Sequence, residues 1–92
     1  MSYTEEIGPL RDEINRLNEE ILEKIRERVG VALRIGEVKK RHGVPVVDRA
    51  REEAVLNHVE SLAADRGLDP EGVRRVFREI IELCVKAEEE NL

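Results

Sequence analysis

The residues with most chemical content in this chain are cations that interrupt its apolar pattern. Ile7, Ile14 and Ile21 recur every seven residues, and the next two members of the series are Arg28 and Ile35. A guanidinium on an otherwise apolar seam is costly unless an anion meets it. Lys39 follows Arg28 by eleven residues. On a helix, eleven steps of about 100° return to within about 20° of the same face, roughly 16 Å along the axis. Two long side chains leaning together across that distance leave a gap sized for a small ring bearing two carboxylates. The plainer alternatives are an ion pair with a glutamate or a snorkelling arginine for Arg28, and an ordinary helix-end cation for Lys39.

The stretch KKRHGVPVVDRARE, residues 39–52, adds further charge at a helix break. Asp48 is a natural N-cap, a role that needs no ligand. Arg51 follows in the first turn, where a cation opposes the helix dipole, so it calls for another contact, a ligand or a surface acid. Glu52 stands beside it. Near the end of the chain Cys84 and Glu88 are four residues apart and extend the stripe of Phe77, Ile80 and Ile81. Glu88 is either a solvated acid in a fraying tail or a carboxyl pointing into the same cavity. Arg11 precedes Arg28 by seventeen residues, roughly 25 Å along the axis and about 100° around it. It cannot reach the same ligand from the same helix. It is a surface arginine, or it serves a second copy of the chain.

Three helices must position these groups, and the fold class expected is all-α. The spacing of three and four in Ile7, Leu10, Ile14, Leu17, Ile21, Val31, Ile35 and Val38 predicts a first helix from about Thr4 to about Arg41. Ile25, Val29 and Leu33 widen its stripe, and Pro9 is expected to break or delay its first turn. Gly43 and Pro45 supply the stop. A second helix runs from about Arg49 to Arg66, with Val55, Val59 and Leu62 inward, and Gly67 ends it. The third starts with Asp69 as cap and Pro70 in the first turn. Its inner stripe is Val73, Val76, Phe77, Ile80, Ile81 and Cys84. A helix of about 38 residues is roughly 57 Å long, whereas a compact domain of this length has a radius of gyration of roughly 12 Å. The two shorter helices are expected to cover about half of the long stripe. The remainder calls for another copy, hence an obligate homodimer about a two-fold axis.

The chain of 92 residues has room for one domain, residues 1–92. A net charge of -5 without a dominant basic face, and only Tyr3 and Phe77 to stack on bases, argue against nucleic acid as a partner. There is no apolar run long enough for a membrane span and no signal-peptide pattern at the N-terminus. A lone Cys84 points to a reducing cytoplasm. His42 and His58 do not make a metal site.

The ordered set Arg11, Arg28, Lys39, Asp48, Arg51 and Glu52, with a polar group at 88, resembles the all-helical class of chorismate mutase. The segments LRDEINRLNEEIL, ERVGVALRIGEVKK, PVVDRAREEAVL and VFREIIELCVKAEE carry the likeness over nearly the whole chain. The resemblance implies an intertwined six-helix homodimer with two sites, each completed by an arginine from the other subunit, here Arg11. It implies that Arg28 binds a substrate carboxylate and that Lys39 contacts a carboxylate and the ether oxygen. Asp48 and Glu52 then hold the ring hydroxyl, and Arg51 orders the charged pocket. Arg28, Lys39 and Glu88 become the catalytic set, and no cofactor or metal is needed. Many relatives carry glutamine at the position of Glu88 and a small polar residue at that of Cys84, a weaker donor. An ionised glutamate would repel the ether oxygen, so activity is expected to need the protonated form; burial near an anionic ligand raises the pKa of Glu88 and the cations lower it, and sequence does not sign the net shift. The rival readings are an isochorismate-pyruvate lyase, which uses a similar fold, and a non-catalytic helical dimerisation module whose bases pair with its many glutamates.

Overall fold

The computed structural model describes residues 1–91; Leu92, the last residue of the expected domain, lies outside the described residues. Three helices account for almost all of it: α1 (Tyr3–Arg41), α2 (Arg49–Asp65) and α3 (Pro70–Glu90). Ser2 caps α1 by accepting from the Glu5 amide, and Glu5 and Glu6 complement the dipole of the first turn. Pro9 does not break this helix. It stands in the second turn, where it removes one hydrogen bond while α1 runs through it. At the other end His42 caps the helix, and Gly43 takes the left-handed backbone at φ 66° that lets the chain reverse. Asp48 caps α2 through a bond from the Arg51 amide. Asp69 is the N-cap residue of α3, but its side chain accepts no capping bond.

α3 packs against both α1 and α2, while α1 and α2 do not touch among the described residues. The centre of the α2–α3 contact is Leu56, at 2% exposure the most deeply buried large side chain, with Val59, Ala63 and Ile81 around it. The expected inner faces shift accordingly. Val55 and Leu62 of α2 are only half-buried, and Val76 of α3 is exposed. Leu56 and Ala63, outside the expected stripe of α2, are buried instead, while Val59, Ile81 and Cys84 are buried as expected. An exposed ion-pair cluster, Arg74 with Glu53 and Glu60, also ties α3 to α2.

On α1, the side chains toward α3 are Ile25, Val29, Ala32 and Gly36, of which Ala32 and Gly36 are buried. The neighbouring stripe of Leu10, Ile14, Leu17, Ile21, Val31, Ile35 and Val38 remains 43–57% exposed. Every residue from Pro9 to Lys24 is exposed. The other helices therefore cover much less of α1 than half its stripe. The molecule measures 62 × 27 × 14 Å with a radius of gyration of 17.3 Å. Its thinnest dimension barely exceeds a single helix with side chains, about 10–12 Å. It is one layer of helices. No helix among the described residues is long and apolar enough to cross a membrane.

Candidate active site

Where the C-terminal half of α1 lies against α3, and the loop after α1 leads into α2, a cavity of about 340 Å³ opens. Seven of the eight candidate residues line it: Arg28 and Lys39 from α1, Asp48, Arg51 and Glu52 from the start of α2, and Cys84 and Glu88 from α3. Val31, Ile35, Val55 and Val85 form part of its apolar wall. Arg11 is not there. It is exposed on the half of α1 that no other helix of the chain touches.

The helix geometry explains the convergence. Arg28 and Lys39 reach the cavity from α1, eleven residues or about three turns apart, and α3 brings Cys84 and Glu88 to it. Arg28 is half-buried and donates to Cys84 Sγ at 2.9 Å. Lys39 Nζ donates to the Val46 carbonyl at 2.6 Å. That bond depends on the turn after α1. The Val44 amide returns to the Lys39 carbonyl at 2.8 Å, folding residues 44–48 back over the helix end. Pro45 keeps this segment out of the helix.

None of the three cations, Arg28, Lys39 or Arg51, is in an ion pair among the described residues. The ion-pair alternative for Arg28 therefore does not hold among the described residues. The acids differ from one another. Asp48 spends one oxygen on the helix cap. Glu52 accepts from the exposed Arg49 at 3.0 Å. Glu88, far from lying in a solvated tail, is 7% exposed, and its Oε2 is buried with no hydrogen-bond partner. Burial pushes the Glu88 carboxyl above the usual carboxylate range, against the opposing pull of Lys39 and Arg28. In the unliganded chain the balance that sequence left open comes out upward.

A cavity of this kind, with cations outside any ion pair along an apolar wall and a buried carboxyl whose pKa is raised by desolvation, can hold a small polyanion. It can also donate a hydrogen bond to an oxygen of that guest. Two features were not apparent from sequence. One is the Val46 carbonyl that fixes Lys39, since a backbone acceptor leaves no mark in residue identity. The other is the approach of Glu88 to Gly36, for which the glycine itself was the available signal.

Comparison with known proteins is consistent with this geometry. The family described as chorismate mutase type II matches residues 10–89. A bifunctional chorismate mutase/prephenate dehydratase of Aquifex aeolicus is 37% identical over 91% of this chain, which spans only 24% of that protein. A 4-amino-4-deoxychorismate mutase of Streptomyces venezuelae is 34% identical, covering 91% of this chain and 82% of its own length. A chorismate mutase of Methanocaldococcus jannaschii is 27% identical, covering 85% and 79%.

Proposed function

The chain belongs to the type II chorismate mutase family, and from that premise we propose that it rearranges chorismate to prephenate, a step toward phenylalanine and tyrosine, as a single domain over residues 1–92. The observation that carries this reading is the set of three cations around one cavity, none of them in an ion pair among the described residues. Such charges are costly to gather unless a guest neutralises them.

The reaction breaks a carbon–oxygen bond while forming a carbon–carbon bond. It needs the enolpyruvyl arm of the substrate held over its ring, which is an orientation task. Arg28 takes one carboxylate in paired hydrogen bonds. Lys39, steadied by the Val46 carbonyl, meets a carboxylate and the ether oxygen on which negative charge grows. Protonated Glu88 donates to the same oxygen, and donors already in place stabilise that charge without rearranging. The ring hydroxyl rests between Asp48 and Glu52, and Arg51 orders the charged rim. Cys84, engaged with Arg28, sets the position of that guanidinium.

The substrate site is completed by a second copy of the chain. The open stripe on α1 and the single-layer shape call for an intertwined homodimer of six helices, in which Arg11 of each subunit enters the site of the other. The buried free thiol of Cys84 fits a reducing cytoplasm.

A second reading is favoured by the two carboxylates, Asp48 and Glu52, at the start of α2. They suit a ring ammonium as well as a hydroxyl, which is the group that distinguishes the substrate named for the Streptomyces relative. Incubation with chorismate, its 4-amino congener and isochorismate, with product identification, separates the possibilities. Prephenate from chorismate is the expected result. Exclusive turnover of the amino compound selects the second reading, and salicylate with pyruvate selects a lyase. No turnover of any of them, with dimer stability unchanged by prephenate or a bicyclic transition-state mimic, overturns the assignment in favour of a dimerisation module.

A further inference from the structure

α1 contains three glycines, and only one has a neighbour. A Cβ placed at Gly8 or Gly30 would meet nothing within 4 Å. At the buried Gly36 it would lie 3.3 Å from Cγ, 3.5 Å from Cβ and 3.6 Å from Oε2 of Glu88. Helix propensity favours alanine over glycine in a helix interior, so Gly36 works against its own helix. What it supplies is room at the contact between α1 and α3, for one side chain in particular.

Glu88 stands at that contact with its buried Oε2 unpartnered. The groups around it are Arg28 and Lys39 from α1, Cys84 and Glu89 on its own helix, and Asp48, Arg51 and Glu52 across the cavity. The distance of the carboxyl from those cations depends on how closely its stem sits on α1. We propose that Gly36 is a positioning residue for Glu88: the missing side chain lets the Glu88 stem lie on α1 and so aims its carboxyl into the cavity. This rests on the chorismate mutase reading for its consequence in catalysis, though not for its geometry. A methyl group at 36 pushes the Glu88 stem away by a few tenths of an ångström. Since a misplacement of about 1 Å costs on the order of 10²-fold in rate, a kcat loss of about 3- to 30-fold follows. KM changes less, because Arg28 and Arg51 still hold the guest.

The test is a cycle of Gly36→Ala and Glu88→Ala, singly and together, with kcat read for each. A ¹³C NMR titration of the Glu88 carboxyl in the unliganded protein, with and without Gly36→Ala, accompanies it. The expected result is a kcat loss from Gly36→Ala when Glu88 is present, none beyond that of Glu88→Ala when it is absent, and a displaced Glu88 titration. An equal loss in both backgrounds, or an unmoved titration, overturns the proposal and leaves Gly36 with helix packing alone. If Gly36→Ala fails to fold, a folded double variant supports the steric pairing and an unfolded one overturns it. A displaced titration in a protein that turns over no chorismate would sustain the positioning role while sinking the enzymatic reading.

Discussion

Glu88 shows how a single side chain ties sequence, burial and chemistry together. It is the acid most deprived of water in the cavity, and desolvation outweighs Lys39 and Arg28 in raising its pKa. In the proposed reaction a protonated carboxyl would donate to the ether oxygen, whereas an ionised one would repel it. The active form is therefore the one populated below the raised pKa, and kcat/KM is expected to fall as pH rises through it, since that ratio reports groups of the free enzyme. Glu88→Gln keeps a donor at every pH and should flatten the decline. Coincident profiles for the two proteins would remove Glu88 as the ether-oxygen donor. The candidate site was largely legible at this scale: Arg28 interrupts an apolar period, Lys39 returns to its face after eleven residues, and Glu88 extends the stripe of α3. The partners Val46 and Gly36 were not, since a carbonyl belongs to every residue and a glycine reveals only that something is absent.

At the level of helices, apolar period and stop signals located all three, with the ends of α1 and α2 close to their expected places. Pro9 was misleading because one lost bond near the start of a 39-residue helix is a small perturbation on many others. The inner faces were less legible. α3 carries apolar residues around more than one side, Val76 and Leu83 exposed and Ile81 and Cys84 buried, and period alone does not say which side meets which neighbour. The anchor of the α2–α3 pair is Leu56. Truncating it to alanine removes buried surface and leaves a hole, so a loss of about 2–5 kcal/mol is expected. Arg74→Ala removes the solvent-screened ion pairs of the same interface and should cost clearly less than the Leu56 truncation. Urea unfolding at one fixed protein concentration compares them. A larger loss at Arg74 than at Leu56 would mean that charge, not packing, holds α3 to α2, and with it the wall of the cavity that bears Cys84 and Glu88.

For the whole molecule, the decisive fact is thickness. A layer 14 Å deep has no interior of its own on its open faces. The uncovered stripe on α1 adjoins the face that packs on α3, so a second copy can cover it without disturbing that contact. Such a dimer also resolves the position of Arg11, stranded about 25 Å from Arg28 along α1. In the proposed dimer each copy would offer its Arg11 to the other across the two-fold axis. Mixed subunits test this directly. Arg11→Ala dimers lack the donated arginine in both sites, and Lys39→Ala dimers lack the lysine in both. A hybrid of the two gathers both defects into one site and leaves the other intact. With random assortment half the dimers are hybrids, so activity should recover to about a quarter of that of the unmodified protein at equal total subunit concentration. Were Arg11 instead to serve the site of its own chain, every site in the hybrid would carry one defect and nothing would recover. Exchange itself must be shown, for example by native mass spectrometry of a tagged subunit. Exchange without recovery would separate Arg11 from the partner's site, leaving the open stripe to account for pairing alone.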